Sequence, residues 1–201
     1  QAIEAQREKL GLRGARVGVF IGSLYAGKRL DLLQEAADVL RSRLPDFKLL
    51  VIGDGPHRVS FEDWAATRDW VVYMGPLTGE DKILCLSAAD VLLNPGLVGL
   101  VVMDSFCAEL PLVTTEEGTR APESAYLKNG VNSLITETSL PAFTGAAESL
   151  LTQPDRLETL RTGCRASATL YTIENMAENF SAGIVQALAT LTPSSRTDKC
   201  A

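Results

Sequence analysis

No stretch of this sequence approaches the roughly 20 consecutive apolar residues that cross a bilayer, and the opening QAIEAQREKLGLRG lacks the apolar segment of a secretory leader. Neither a membrane span nor a leader is expected from these residues. A basic excess is also missing: 19 Lys and Arg, scattered along the chain, stand against 25 Asp and Glu for a net charge of −6. That balance argues against nucleic acid as the partner and for a small molecule. The four cysteines, Cys85, Cys107, Cys164 and Cys200, show no CxxC or Cys/His spacing, and His57 is the single histidine, so neither a zinc site nor a disulfide framework is indicated. Three of the cysteines fall in apolar helical patterns, which predicts buried, reduced thiols. No internal repeat or low-complexity segment is present, and no GxGxxG follows the first predicted strand, which disfavours a generic dinucleotide-dependent dehydrogenase.

What the 201 residues do contain is apolar side chains, 46% of the total, enough for one large core in one domain. Strands and helices alternate. Strands are predicted at 16–21, 47–52, 70–74, 91–93, 112–114 and 131–135, with helices at 30–44, 61–67, 80–88 and 99–109 and a short one at 122–127. The last third is helical, and residues 192–201, TPSSRTDKCA, form a polar tail. Leu32, Leu33, Ala36, Ala37, Leu40 and Leu44 share one helix face. Strands of continuous apolar residues, each followed by an amphipathic helix, imply a parallel sheet covered on both faces. The expected fold is α/β, a Rossmann-like doubly wound sheet of about six strands with a helical carboxyl-terminal region.

Ligands of such sheets bind beyond the carboxyl ends of the strands, so the residues after each strand are the informative ones. They are rich in glycine: Gly22-Ser23-Leu24-Tyr25-Ala26-Gly27-Lys28, then Gly53-Asp54-Gly55-Pro56, Gly75-Pro76 and Asn94-Pro95-Gly96. The segment VLLNPGLVGLVVMDSFCAELPLVTT at 91–115 reads as strand, turn, helix and strand, a βαβ unit whose turn aims free backbone N–H groups past the strand ends. Asp104 sits about one turn into that helix among apolar neighbours, where a carboxylate is costly unless paired.

Taken together and in order, GSLYAGKRLDLLQEA at 22–36, LLVIGDGP at 49–56, VVYMGPL at 71–77, SAADVLLNP at 87–95, GLVVMDSFCAELPLVTT at 99–115 and APESAYLKNGVNSLIT at 121–136 resemble the carboxyl-terminal, donor-binding domain of retaining glycosyltransferases of the family 4 type, which have the two-domain GT-B architecture. The resemblance covers nearly the whole chain. It marks residues 1–14 as a segment following the interdomain linker and 15–191 as the nucleotide-sugar-binding domain. It also implies that an amino-terminal acceptor-binding domain is missing.

The resemblance assigns roles residue by residue. Lys28 matches the lysine that holds the donor diphosphate, where an ammonium offsets leaving-group charge and makes the catalytic contribution. Gly22 matches a glycine of close approach, and Ser23 stands where many members carry a phosphate-binding arginine. Asp104 matches the second acid of the E-x7-E signature, accepting from the ribose hydroxyls with one methylene less reach than glutamate. The first acid falls on Gly96, so the signature is broken there. The turn Gly96-Leu97-Val98-Gly99-Leu100 would hold the transferred sugar by its backbone N–H groups. Gly53, Gly55, Gly75, Pro76 and Leu77 match backbone that frames the base. Asp54 reads as a turn former, His57 as a surface residue, Glu123 as either a site acid or a solvated helix-start acid, and Trp64, Trp70 and Tyr73 as packing residues.

The expected activity is transfer of a sugar from a UDP- or GDP-sugar to an acceptor hydroxyl with retained anomeric configuration. No cofactor and no metal are expected, because the strand outlets carry no Asp-x-Asp cluster. The expected location is cytoplasmic, at the inner membrane face if the missing domain carries it there. A non-catalytic nucleotide-sugar-binding domain is the first alternative, motivated by Gly96 and Ser23, and a GT-B sugar-nucleotide epimerase is the second.

Overall fold

The structure, a computed structural model, describes residues 2–191. Its strands are β1 (Arg16–Ile21), β2 (Phe47–Ile52), β3 (Val71–Tyr73), β4 (Val91–Leu93), β5 (Leu112–Thr115) and β6 (Ser133–Thr136). Its helices are α1 (Ala2–Lys9), α2 (Leu30–Arg43), α3 (Arg58–Ala65), α4 (Gly79–Ser87), α5 (Val101–Cys107), α6 (Leu140–Thr152), α7 (Pro154–Leu170) and α8 (Ile173–Leu191). The strands form one parallel sheet in the order β3-β2-β1-β4-β5-β6, which is the doubly wound arrangement. Because both faces are covered, the inner strands β1, β2, β4 and β5 carry almost no exposed side chain.

Two apolar layers sandwich the sheet. On one face, Leu33, Ala36, Ala37 and Leu40 of α2, Phe61 and Ala65 of α3, and Phe143, Ala147 and Leu150 of α6 pack on Phe20, Leu49, Val51 and Val113. On the other, Cys85 and Leu86 of α4, Val101, Val102 and Phe106 of α5, and Cys164 of α7 pack on Val17, Val19, Leu50 and Leu92. The aromatic residues Trp64, Trp70 and Tyr73 join Phe47 and Phe61 in the first layer, as packing residues.

Several expectations shift. Residues 2–9, within the segment assigned no element, form α1, which buries no side chain and therefore shows no apolar periodicity. It is tethered instead by polar contacts: Arg7 donates to the Ala15 carbonyl and to Asp90 at 3.4 Å. The last strand starts at Ser133, two residues later than its apolar pattern suggested. The amides of Val131 and Asn132 both turn back to the Lys128 carbonyl, and the Asn132 side chain holds that turn by accepting from Lys128 N–H at 2.7 Å and donating to Ser167 at 2.9 Å. Cys107 is exposed, against the expectation of a buried thiol, because it ends α5 on the side away from the sheet. Cys85 and Cys164 are buried, and burial pushes the Cys164 thiol up to about 12, which keeps it protonated and unreactive. Cys200 and the polar tail lie outside the described residues. Among the described residues, no helix is long and apolar enough to cross a membrane.

Candidate functional site

The strand order reverses between β1 and β4, and the crevice beyond their carboxyl ends is where a ligand of such a sheet sits. Every glycine-bearing outlet named from the sequence lies along this edge. The outlets of β1, β2 and β3 are stacked backbone on backbone. Gly22 N–H donates to the Ile52 carbonyl at 3.0 Å, and Gly53 N–H donates to the Gly75 carbonyl at 2.9 Å. A Cβ on Gly53, whose φ is +147°, would overlap the Gly22 carbonyl oxygen, so only glycine fits. Tyr73 closes the far side by donating its hydroxyl to the Gly53 carbonyl at 2.8 Å.

Lys28 ends a short 3-10 turn, Ala26–Lys28, that leads into α2. Its side chain lies over Gly22: a Cβ built there would be 3.4 Å from Lys28 Cε and 3.7 Å from Nζ. The residue is only 7% exposed, so it is not a solvated surface lysine. Nζ donates to the Leu97 carbonyl at 2.5 Å. Burial lowers the Lys28 pKa below the ordinary lysine range, and the Glu123 carboxylate opposes that shift, which places this acid within electrostatic reach of the ammonium.

The turn between β4 and α5 is locked to two other outlets. Leu97 N–H donates to the Gly27 carbonyl at 2.8 Å and Val98 N–H to the Gly118 carbonyl at 3.2 Å, while Thr115 donates its hydroxyl to the Pro95 carbonyl at 2.6 Å. Arg29, in the left-handed region at φ +51°, reaches across to Glu117 at 2.8 Å. These contacts explain the broken signature. Gly96 is pressed against the β1 outlet so closely that a Cβ would overlap the Gly27 carbonyl oxygen and the Lys28 carbonyl carbon. No acid could stand there with the loops as they are.

The same contacts narrow the backbone donors expected from this turn. The amides of Leu97 and Val98 are committed, and the Val98 side chain is 4% exposed within the core, so Val98 offers the crevice neither its amide nor its side chain. The amides of Gly99 and Leu100 find no acceptor among the described residues. The buried Asn94 donates to the Leu97 carbonyl at 3.3 Å but leaves its own side-chain oxygen unpartnered.

Asp104 is half-buried on α5, and its carboxylate is paired: Lys82 of α4 donates to Oδ1 at 2.8 Å. The sequence required such a partner without naming it. Lys82 carried no signal, because the pairing depends on how α4 and α5 lie side by side. Among the remaining candidates, Ser23 and Pro76 are exposed, and Gly55, Gly75 and Leu77 are half-buried. Asp54 accepts from Gly55 N–H at 2.7 Å as a turn former, and His57 is a surface residue. The arrangement offers a buried ammonium over a glycine floor, two free amides and a half-buried carboxylate. These groups suit an anion and hydroxyls.

Comparison with known proteins gives the family. The sequence is 29% identical over 163 residues to the GDP-mannose-dependent alpha-(1-6)-phosphatidylinositol monomannoside mannosyltransferase of Mycolicibacterium smegmatis, covering 75% of this chain and 42% of that protein. It is 30% identical over 165 residues to the alpha-D-kanosaminyltransferase of Streptomyces kanamyceticus, covering 76% of this chain and 40% of that one. The chain thus spans about two fifths of the length of these relatives. The fold superposes on Anabaena HepE, solved in complex with UDP and glucose, with a TM-score of 0.76 at 15% identity, over 92% of this chain and 52% of that one. Residues 15–153 match the family of glycosyl transferases, group 1. The chain belongs to the group 1 glycosyl transferases.

Proposed function

We propose that this chain is the donor-binding half of a retaining glycosyltransferase, which moves a sugar from a UDP- or GDP-sugar to an acceptor hydroxyl supplied with a second, amino-terminal domain. The observation that carries the proposal is the buried Lys28 ammonium lying over Gly22 at the β1/β4 reversal. A desolvated cation there is unfavourable by itself and becomes favourable once a diphosphate enters. As the glycosidic bond breaks, negative charge grows on the departing phosphate, and an ammonium already in place stabilises that charge more than it stabilises the ground state. The amides of Gly99 and Leu100 would support the transferred sugar or its phosphate, and Asp104 would accept from the ribose hydroxyls. No protein nucleophile is invoked, so retention would require the acceptor hydroxyl to attack from the face that the diphosphate leaves, its proton passing to the departing phosphate, and Lys28 would offset the charge without a metal or cofactor. The GDP-mannose dependence of one relative and the UDP in the Anabaena structure make GDP and UDP the first nucleotides to test.

The test is calorimetric. Lys28→Ala is expected to weaken nucleoside-diphosphate binding by about 1–3 kcal/mol, the worth of a charge-assisted hydrogen bond, with nucleoside binding little changed. Equal diphosphate affinity in variant and parent would remove Lys28 from the role. A second reading, a nucleotide-sugar-binding domain without turnover, is favoured by the closed position at Gly96. A transfer assay on the complete protein separates the two.

A further inference from the structure

We infer that Lys82 and Asp104 act together as a matched donor and acceptor for the ribose diol of the bound nucleotide, with Lys82 the residue that positions the carboxylate. The inference rests on the proposed role of Asp104 at the ribose and goes beyond it by adding a second side chain and a reason for it. Lys82 lies in the first turn of α4, after the β3 outlet, and its amide donates back to Thr78. Asp104 lies in the first turn of α5, after the β4 outlet. Their 2.8 Å bond therefore joins two helices that both begin at the carboxyl edge of the sheet.

The pair is half-buried, with side-chain exposures of 29% and 31%, and each residue has the other as its ion-pair partner among the described residues. A bond between two partly exposed charges adds little to stability. The bonding left over is more informative. Lys82 uses one of its three N–H bonds on Oδ1, and Oδ2 of Asp104 accepts none among the described residues. The pair thus presents, side by side, an acceptor oxygen and free N–H donors. A vicinal diol is the complement of that pattern: one hydroxyl donates to Oδ2 while the neighbouring hydroxyl oxygen accepts from the ammonium. A carboxylate alone can only accept, and it is free to rotate. The Lys82 bond fixes its plane and supplies the missing donor.

The experiment measures binding to the full chain of the nucleoside diphosphate it prefers, UDP or GDP, and of the 2′,3′-dideoxy form, in the parent and in Lys82→Met, Lys82→Arg and Asp104→Asn. Lys82→Met is expected to lose about tenfold in ribonucleotide affinity, with less than about twofold change for the dideoxy ligand. Lys82→Arg should recover most of the loss, because a guanidinium also pairs with a carboxylate and keeps spare donors. Ribose-specific loss in Asp104→Asn without any in Lys82→Met would overturn the inference and leave Asp104 at the ribose. Loss in Asp104→Asn that ignores the ribose hydroxyls would overturn both. Equal loss of both ligands in Lys82→Met, with a lowered Tm, would make the pair an interhelix tie and nothing more.

Discussion

At the residue scale, Lys28 and Gly96 lie on opposite sides of one contact and make opposite predictions. Burial lowers the Lys28 pKa, so between that lowered value and the ordinary lysine range the unfolded chain holds a proton that the folded chain has released. Stability of the free protein therefore rises with pH through that window, and below it the full desolvation cost is present. Diphosphate affinity must run the other way, falling as pH rises through the lowered pKa, because a neutral amine offsets no phosphate charge. Calorimetric titrations stepped from neutral into alkaline buffer check this, and an affinity flat up to the ordinary lysine range would refute it. Lys28→Met should raise the free protein's stability at neutral pH by about 0.5–2 kcal/mol while it weakens diphosphate binding by about 1–3 kcal/mol. For Gly96, even alanine should destabilise by about 1–3 kcal/mol, read as a lower urea midpoint at unchanged slope, because its Cβ has no space against Gly27 and Lys28. The two residues also differ in how far sequence revealed them. Lys28 stands in a run of outlet residues that can be read locally. The closure of the Gly96 position depends on a loop nearly seventy residues earlier and could not be read at all.

At the scale of elements, the alternation of apolar strands and amphipathic helices was enough to give a doubly wound parallel sheet of about six strands, because parallel strands buried on both faces leave a continuous apolar trace. Boundaries were lost where side chains overrode that trace. Asn132 turned apolar-looking residues before β6 into a bend, and α1 formed without an apolar face. The end of α5 shows a third case. Leu110 N–H returns to the Ser105 carbonyl at 2.8 Å and Glu109 N–H to the Phe106 carbonyl at 3.1 Å, which is a complete Schellman closure with glutamate at the left-handed position, φ +54°. Glycine is favoured there by about 1–2 kcal/mol of relieved strain. The partner that glutamate gains, Arg165 at 2.6 Å, is a half-exposed pair worth about 0–1 kcal/mol. Glu109→Gly is thus expected to stabilise the domain slightly, by up to about 1 kcal/mol, measured by thermal or urea unfolding. A clear loss would show that the Arg165 contact matters more than the backbone strain.

At the scale of the whole molecule, the sheet and its two layers are complete without α8. No described side chain of α8 is buried, and Ile173, Met176 and Phe180 are largely exposed beside Leu100 and Met103, lining a cavity of about 710 Å³. A chain ending at Thr172 should therefore keep its Tm within about 4 °C of the parent, the shift expected for roughly 1 kcal/mol in a domain of this size, and should bind less of an apolar dye. A large drop in Tm would mean that α8 is part of the cooperative unit. The bond from Lys28 to the Leu97 carbonyl has a consequence at this scale as well. A flexible lysine gives up about 1.5–2 kcal/mol of rotamer freedom when it is fixed in place. Here the fold has already fixed it, on a carbonyl that occupies only one of its three N–H bonds. Ligand capture by this domain should accordingly carry little ordering penalty from its principal cation, and the calorimetric signature of diphosphate binding should show a smaller unfavourable entropy in the parent than in a variant whose lysine is released by replacing the surrounding loop with glycine and serine.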